Sequence, residues 1–270
     1  MVKIDIRNLC AEYTDKKGTF LALKDVSFDV KNGEFVSVIG SSGCGKSTLL
    51  GVLQGLKFPS AGEAAIDGKP ITGPGADRSV VFQNYSLFPW MSARSNISFA
   101  VKQVRKGLTR AQRNEIAQRY LSKVGLSDFG QKYPSQLSGG MQQRVAIARA
   151  LAMDTDILLM DEPFGAIDAK NRSGMQELLL SLWEGDDTRE KKTVVFVTHD
   201  IDEAIFLSDR IVMLSNSPGS VYKIMEIPFG RPRNHPQIIK TDAYHKLRDE
   251  LFSLFYHNVG ENIGGNEVVI

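Results

Sequence analysis

No run in this 270-residue chain approaches the roughly 18 apolar residues that mark a membrane helix. Any role at a membrane is therefore expected to come through partner proteins. Cysteine is scarce: Cys10 and Cys44 alone cannot build a disulfide framework, and reduced thiols are expected. An excess of either sign is lacking as well, with 33 Lys and Arg against 31 Asp and Glu. A net charge of +2, without a concentrated basic patch, argues against a grip on nucleic acid. Met1 to Cys10 alternates charge and apolarity without a signal-peptide core, so a cytosolic chain is expected. Internal repeats and low-complexity tracts are also missing.

What remains is an ordinary globular composition, 42% hydrophobic and 24% charged, long enough for a sizeable core in one or two domains. Lys3 to Arg7 and Leu23 to Val30 alternate like short strands. Phe35 to Ile39 reads as a buried parallel strand ending at Gly40, with a helix from Ser47 to Gln54 behind it. Asp67-Gly68 carries a hairpin signal. From Trp90 to Gln136 the pattern is helical, with a capping box at Thr109 and Gln112 and an apolar face through Ile116, Tyr120, Leu121 and Val124. The α/β pattern then resumes. A helix is expected over Met141 to Ala152, a strand from Ile157 to Asp161 and a helix from Met175 to Trp183. Strands follow at Thr193 to Thr198 and Arg210 to Leu214. Near the end, Tyr244, Leu247, Leu251, Leu254 and Phe255 share one helical face.

Two segments carry the chemistry. Gly40-Ser41-Ser42-Gly43-Cys44-Gly45-Lys46-Ser47 fits the phosphate-binding loop G-x-x-x-x-G-K-[ST]. Its backbone N–H groups cradle phosphates, Lys46 reaches the outer ones, and the Ser47 hydroxyl suits Mg²⁺. Thr48 adds a further phosphate hydrogen bond. Leu137 to Arg144 places Ser138, Gly139 and Gly140 at an expected helix start, again suited to a phosphate. One chain already has a cradle, so the second is expected to serve a partner's nucleotide. Together they read as halves of a composite ATP site.

Asp161 and Glu162 stand at the carboxyl end of an apolar strand, where ligands bind in open α/β sheets. Asp161 is expected to hold Mg²⁺ and Glu162 to orient or deprotonate an attacking water. Gln83, just after the strand Ser79 to Phe82, is either a solvated residue or a reach toward metal and water. His199 ends a buried strand and is structural or part of the site. Tyr13 is core, surface or a platform for a ring. Cys44 within the loop suggests that its alkylation weakens nucleotide binding.

In this order the motifs resemble the ATP-binding subunit of ABC transporters, over residues 1 to about 225. The resemblance implies that Tyr13 stacks on adenine, that Gly40 to Ser47 is Walker A and that Gln83 is the Q-loop glutamine. It also implies that Ser138, Gly139, Gly140 and Gln142 cap the γ-phosphate of the opposite subunit's ATP. Asp161 and Glu162 become the Walker B aspartate and catalytic glutamate, Ala166-Ile167-Asp168 the D-loop, and His199 the switch histidine. The implied metal set is Ser47, Gln83 and Asp161. The implied fold is a phosphate-loop α/β core with a mainly parallel sheet, an N-terminal antiparallel β-subdomain and a helical lobe inserted at about 90–140. Residues 231–270 form a short tail.

The implied activity is ATP hydrolysis with Mg²⁺, powering a bacterial importer of nitrate, sulfonate, taurine or a similar solute. Implied partners are a second ATPase subunit, the permease subunits and, indirectly, a solute-binding protein, at the cytoplasmic face of the membrane. A non-transport ABC ATPase acting on ribosomes or DNA is the alternative, and a plain phosphate-loop kinase a third reading.

Overall fold

The computed structural model describes residues 1–15, 18–165, 167, 169–184 and 191–260. Ala166 and Asp168 of the expected D-loop lie outside them. The chain divides into two compact units: Met1–Pro74 with Val195–Ile270, and Gly75–Val194.

The first unit opens with two 14-residue strands, β1 (Val2–Asp15) and β2 (Gly18–Lys31), paired antiparallel. These are longer than the short strands expected from sequence. The reason is local: Asn8 and Asp25 adopt left-handed φ of 47° and 50°, and the register shifts between Ile6 and Leu9. Such bulges break the period-2 alternation without ending the strand. The Asn8 carboxamide donates to Asp25 at 2.7 Å, tying the two irregularities together. β4 (Ala61–Ile66) pairs with the other edge of β1, and β5 (Lys69–Pro70) pairs with β4. Their turn holds Asp67 and Gly68 at φ of 49° and 73°, as a two-residue hairpin requires.

β3 (Phe35–Ile39) is buried at every residue. β9 (Arg210–Leu214) lies parallel to it, and β10 (Val221–Glu226), which the sequence reading left out, adds antiparallel to β9. α1 (Lys46–Gln54) follows β3, and α6 (Ile201–Leu207) follows β8 (Thr193–Val197). α7 (His235–Ile238) and α8 (Asp242–Gly260) complete the unit. Tyr244 and Leu251 of α8 are buried with Ile39, Ile201, Ile205 and Met213, and Leu247, Leu254 and Phe255 pack on that core. The common face expected of the tail helix is the face that packs.

In the second unit, β6 (Arg78–Val81) pairs parallel with β7 (Ile157–Asp161). The helices are α2 (Ala93–Val104), α3 (Arg110–Lys123), α4 (Gly139–Ala152) and α5 (Ala169–Glu184). Ile97 and Val101 of α2, Ile116 and Leu121 of α3, and Val145, Ala148 and Ala152 of α4 share one core. The lobe's hydrophobic centre thus extends beyond residue 140 into α4. Asn96, fully buried, donates to the carbonyls of Phe88, Met91 and Ser92 and accepts from the Phe88 N–H. That carboxamide shapes the loop before α2. Within the first unit the strands run β2-β1-β4-β5 in one sheet and β10-β9-β3 in another; within the second, β7 lies beside β6.

The capping box at α3 is present in both directions, with the Thr109 hydroxyl accepting from the Gln112 N–H and the Gln112 carboxamide accepting from the Thr109 N–H. Thr109→Ala is expected to lower unfolding free energy by about 1 kcal/mol, read from urea denaturation; an unchanged midpoint would contradict the cap.

Candidate functional site

In the first unit, the turn from β3 into α1 is shaped by what does not fit. Gly45 has a φ of 94°, and a Cβ there would lie 2.5 Å from Leu23 Cδ2 and 2.8 Å from the Ala22 carbonyl. A Cβ on Gly40 would lie 2.5 Å from Cys44 Sγ. Gly43 has open space but a φ of 82°, so its need is conformational. Gly45 is the N-cap of α1 and offers no side-chain cap, and the first turn holds no acid. The early N–H groups and the positive end of the helix dipole are therefore directed to an anion.

Lys46 is buried, with Nζ donating to the Gly40 carbonyl at 2.7 Å and the Ser41 carbonyl at 2.9 Å. The loop so holds its own cation at the point where phosphates would bind. Ser42, Gly43 and Ser47 are exposed, and the Ser41 hydroxyl donates to Asn216. Thr48 is buried and shares a 2.8 Å hydrogen bond with the Tyr13 hydroxyl. Tyr13 is partly exposed, and Lys57 Nζ sits 4.3 Å above its ring centroid. Burial lowers the Lys57 ammonium below its usual value. His199 is exposed one residue past Thr198, and Asp200 caps α6 by accepting from the Glu203 N–H.

Cys44 lies within the loop but beneath its surface. It is 1% exposed, and burial raises its thiol above the ordinary value despite the opposing charge of Lys46. Alkylation needs an accessible thiolate, so modification of this shielded thiol is expected to be slow. Cys10, half-buried, is the more accessible of the two.

In the second unit, Gln83 Nε2 donates to Glu162 Oε2 at 3.4 Å, so the structure brings together two residues far apart in sequence. Asp161 closes β7, and Glu162 turns at a φ of 41°. That left-handed turn is strained for a side-chain-bearing residue. Tyr85 and Ser86 are also left-handed, at 57° and 47°. Arg149 of α4, missed by sequence reasoning, donates to both their carbonyls, at 3.0 Å for Tyr85 and 2.6 Å for Ser86. No local spacing announces that contact, nor Lys57 over Tyr13.

Ser138 caps α4 by accepting from the Met141 N–H. Ser138 and Gly139 are exposed and Gly140 is half-buried. A Cβ on Gly139 would come 3.3 Å from the Tyr85 hydroxyl, whereas one on Gly140 would meet nothing. Gln142 turns its amide back to the Pro134 and Leu137 carbonyls at 3.0 and 3.2 Å. It braces the loop that presents Ser138. Of the expected D-loop, Ile167 is buried. Trp90 is 68% exposed, with Phe88 packed between it and Phe99 at 5.5 and 5.2 Å.

Of the residues that the resemblance implies for Mg²⁺, Ser47 stands in the first unit and Gln83 and Asp161 in the second. Hydroxyl, carboxamide and carboxylate oxygens are the hard donors this ion takes, and it completes its shell with phosphates and water. Among the described residues no cluster of three His, Cys, Asp or Glu forms a separate metal site.

A phosphate cradle, a strand-end carboxylate contacted by a glutamine, and a second glycine-led helix start define a nucleotide-handling α/β protein. Comparison with known proteins narrows this. The family model for the ABC transporter domain matches residues 23–165, and the chain belongs to that family. Nitrate import ATP-binding protein NrtD of Synechococcus elongatus is 48% identical over 241 residues, covering 89% of this chain and 86% of its own. Bicarbonate transport ATP-binding protein CmpD of Synechocystis is 46% identical over 260 residues, covering 94% and 91%. The dimeric post-hydrolysis structure of the ATP-binding cassette MJ0796, bound to ADP and Pi, superposes with a TM-score of 0.74 at 34% identity, covering 84% of this chain and all of that one.

Two outcomes are expected of the cradle. Alanine in a left-handed position costs about 1–2 kcal/mol before any clash, so Gly45→Ala should weaken ATP binding about tenfold or more, measured by titration with a fluorescent ATP analogue. Maleimide at neutral pH should label Cys10 well before Cys44, read by peptide mass spectrometry. Because the Cys44 thiol is raised, its labelling should climb only in alkaline solution; rapid labelling at neutral pH would contradict the burial.

Proposed function

We propose that this chain is the ATP-hydrolysing subunit of a bacterial importer and works as a dimer with two ATP molecules between facing copies. The observation that carries the reading is the exposed start of α4. Ser138 and Gly139 face outward beside a cradle-like helix terminus, in a chain that already has a phosphate loop. A second copy is the natural source of the phosphate they would meet.

Lys46 and the N–H groups of the loop bind the β- and γ-phosphates, and Thr48 lies next to them. Tyr13 offers the free part of its ring to adenine, with Lys57 on the ring as a cationic neighbour. His199 contacts the γ-phosphate from the same copy. Ser138, Gly139 and Gly140 contact it from the opposite one, supported by Gln142. Mg²⁺, when bound, neutralises charge on the outer phosphates. Glu162 orients the attacking water and accepts its proton, while Gln83 holds the Glu162 carboxylate from the side.

ATP favours the closed dimer because its γ-phosphate satisfies both faces at once, and a ligand shifts a balance only through such a difference. Loss of the γ-phosphate removes the bridge.

The solute is read from relatives rather than residues. The names of similar proteins, nitrate import and bicarbonate transport, support a small inorganic anion; a sulfonate or taurine is the second reading. Phe88, Pro89, Trp90 and Met91 form the surface offered to the permease. Pro89 and Trp90 are exposed and Phe88 and Met91 half-buried; aromatic and methionine side chains favour such interfaces, and the buried Asn96 carboxamide keeps that loop shaped. A solute-binding protein acts indirectly, and the subunit sits peripherally on the cytoplasmic face.

Glu162→Gln is expected to reduce kcat by a factor of about 10²–10⁴ and to accumulate an ATP-bound dimer, visible by light scattering. Turnover at the wild-type rate would refute the role given to Glu162, and a variant that stays single with saturating Mg-ATP would refute the shared site.

A further inference from the structure

The C-terminal segment has no part in the roles above, yet it grips one helix at both ends. α6 has seven residues, too few to hold a position through its own hydrogen bonds. At its first turn the Tyr244 hydroxyl donates to Asp202 Oδ1 at 2.6 Å. Arg248 Nε donates to the same oxygen at 2.6 Å, and Nη2 donates to Oδ2 at 3.3 Å. At its far end Arg233 donates to the Ile205 and Phe206 carbonyls at 3.2 and 2.9 Å, and Arg231 to the Leu207 carbonyl at 2.6 Å. Those are carbonyls that a helix leaves without partners in its last turn, where cations are favoured. Between the two ends, Ile201, Ala204 and Ile205 share a core with Tyr244 and Leu251 of α8.

The start of α6 is also laced to the turn that carries His199. The Thr198 hydroxyl donates to Glu203 Oε2 at 2.7 Å and accepts from the Asp200 N–H at 3.0 Å. The Asp200 carboxylate accepts from the Glu203 N–H at 3.1 Å. Thr198 and Asp200, the residues on either side of His199, are thus both hydrogen-bonded to Glu203 of α6.

We propose that the segment from Phe229 to Phe255 is a positioning element for ATP hydrolysis: by clamping both ends of α6 it fixes the turn that presents His199. Tyr244 and Arg248, with their acceptor Asp202 on α6, are the positioning residues, though none touches nucleotide. The proposal rests on the reading that His199 meets the γ-phosphate. Small misplacement of a contacting group has large kinetic consequences, so a clamp remote from the nucleotide can govern rate. Arg248 suits the task because its planar fork spans both oxygens of Asp202, which a lysine cannot match in geometry.

The test uses the full chain. Arg248→Gln, Asp202→Asn and the milder Tyr244→Phe are assayed for Mg-ATP turnover, with melting temperature and the ring resonances of His199 recorded. The His199 signal is assigned by its loss in His199→Ala. Arg248→Gln and Asp202→Asn should each lower kcat about tenfold with KM unchanged, and should shift the His199 resonance. Arg248→Lys should recover part of the rate.

Placed in the His199→Ala background, Arg248→Gln should add little, because both act through one group. If Arg248→Gln melts below the assay temperature, Tyr244→Phe carries the same comparison. Wild-type kcat in the folded variants overturns the proposal. So does a loss confined to KM, or a lower kcat with the His199 resonance unmoved. Full activity of His199→Ala would instead remove the γ-phosphate reading, while the resonance shift still judges the clamp.

Discussion

The first unit depends on one steric demand: at Gly45 the backbone must turn left-handed while pressed against Leu23 and the Ala22 carbonyl. Only a residue without a Cβ meets both conditions. From that turn follow the uncapped start of α1, the inward reach of Lys46 and the burial of Cys44 beneath Gly40. The ammonium resting on the Gly40 and Ser41 carbonyls shows a loop that already satisfies its charge. Phosphates entering the cradle would exchange one set of polar partners for a stronger one.

The second unit concentrates strain where chemistry is expected. Tyr85, Ser86 and Glu162 all carry left-handed φ, each at a cost on the order of 1–3 kcal/mol. Such conformations persist when neighbours over-determine them. Arg149 does so for Tyr85 and Ser86 by holding both carbonyls from α4. The helix that begins at Ser138 thus also fixes the turn two residues beyond Gln83. Within that unit the glutamine turn and the glycine-led helix start are mechanically one object.

The tail adds a third constraint, on α6. Its apolar face was readable as a helical stripe, and the structure places that stripe on the core of the first unit. The polar side chains that make it a clamp were not readable. Arg231, Arg233 and Arg248 look like solvated charges in sequence, and their carbonyl and carboxylate partners lie tens of residues upstream.

Much of the fold was legible wherever one period governs a segment: β3, β7, β9, the capping box of α3 and the stripe of α8. It was least legible in β1 and β2, where bulges at Asn8 and Asp25 break the alternation, and in β10, a mostly exposed strand whose apolar residues do not alternate. By itself the sequence determined the glycine-led turn from β3 into α1 and the family to which the chain belongs. Contiguous spacing fixes a turn, and a turn fixes which backbone groups point outward. Only the tertiary structure decided that Cys44 is shielded, that Lys57 covers Tyr13, that Arg149 holds the glutamine turn and that the tail grips α6. Each of these joins residues distant along the chain, and the free energy of such a contact is set by burial and geometry that no local pattern records.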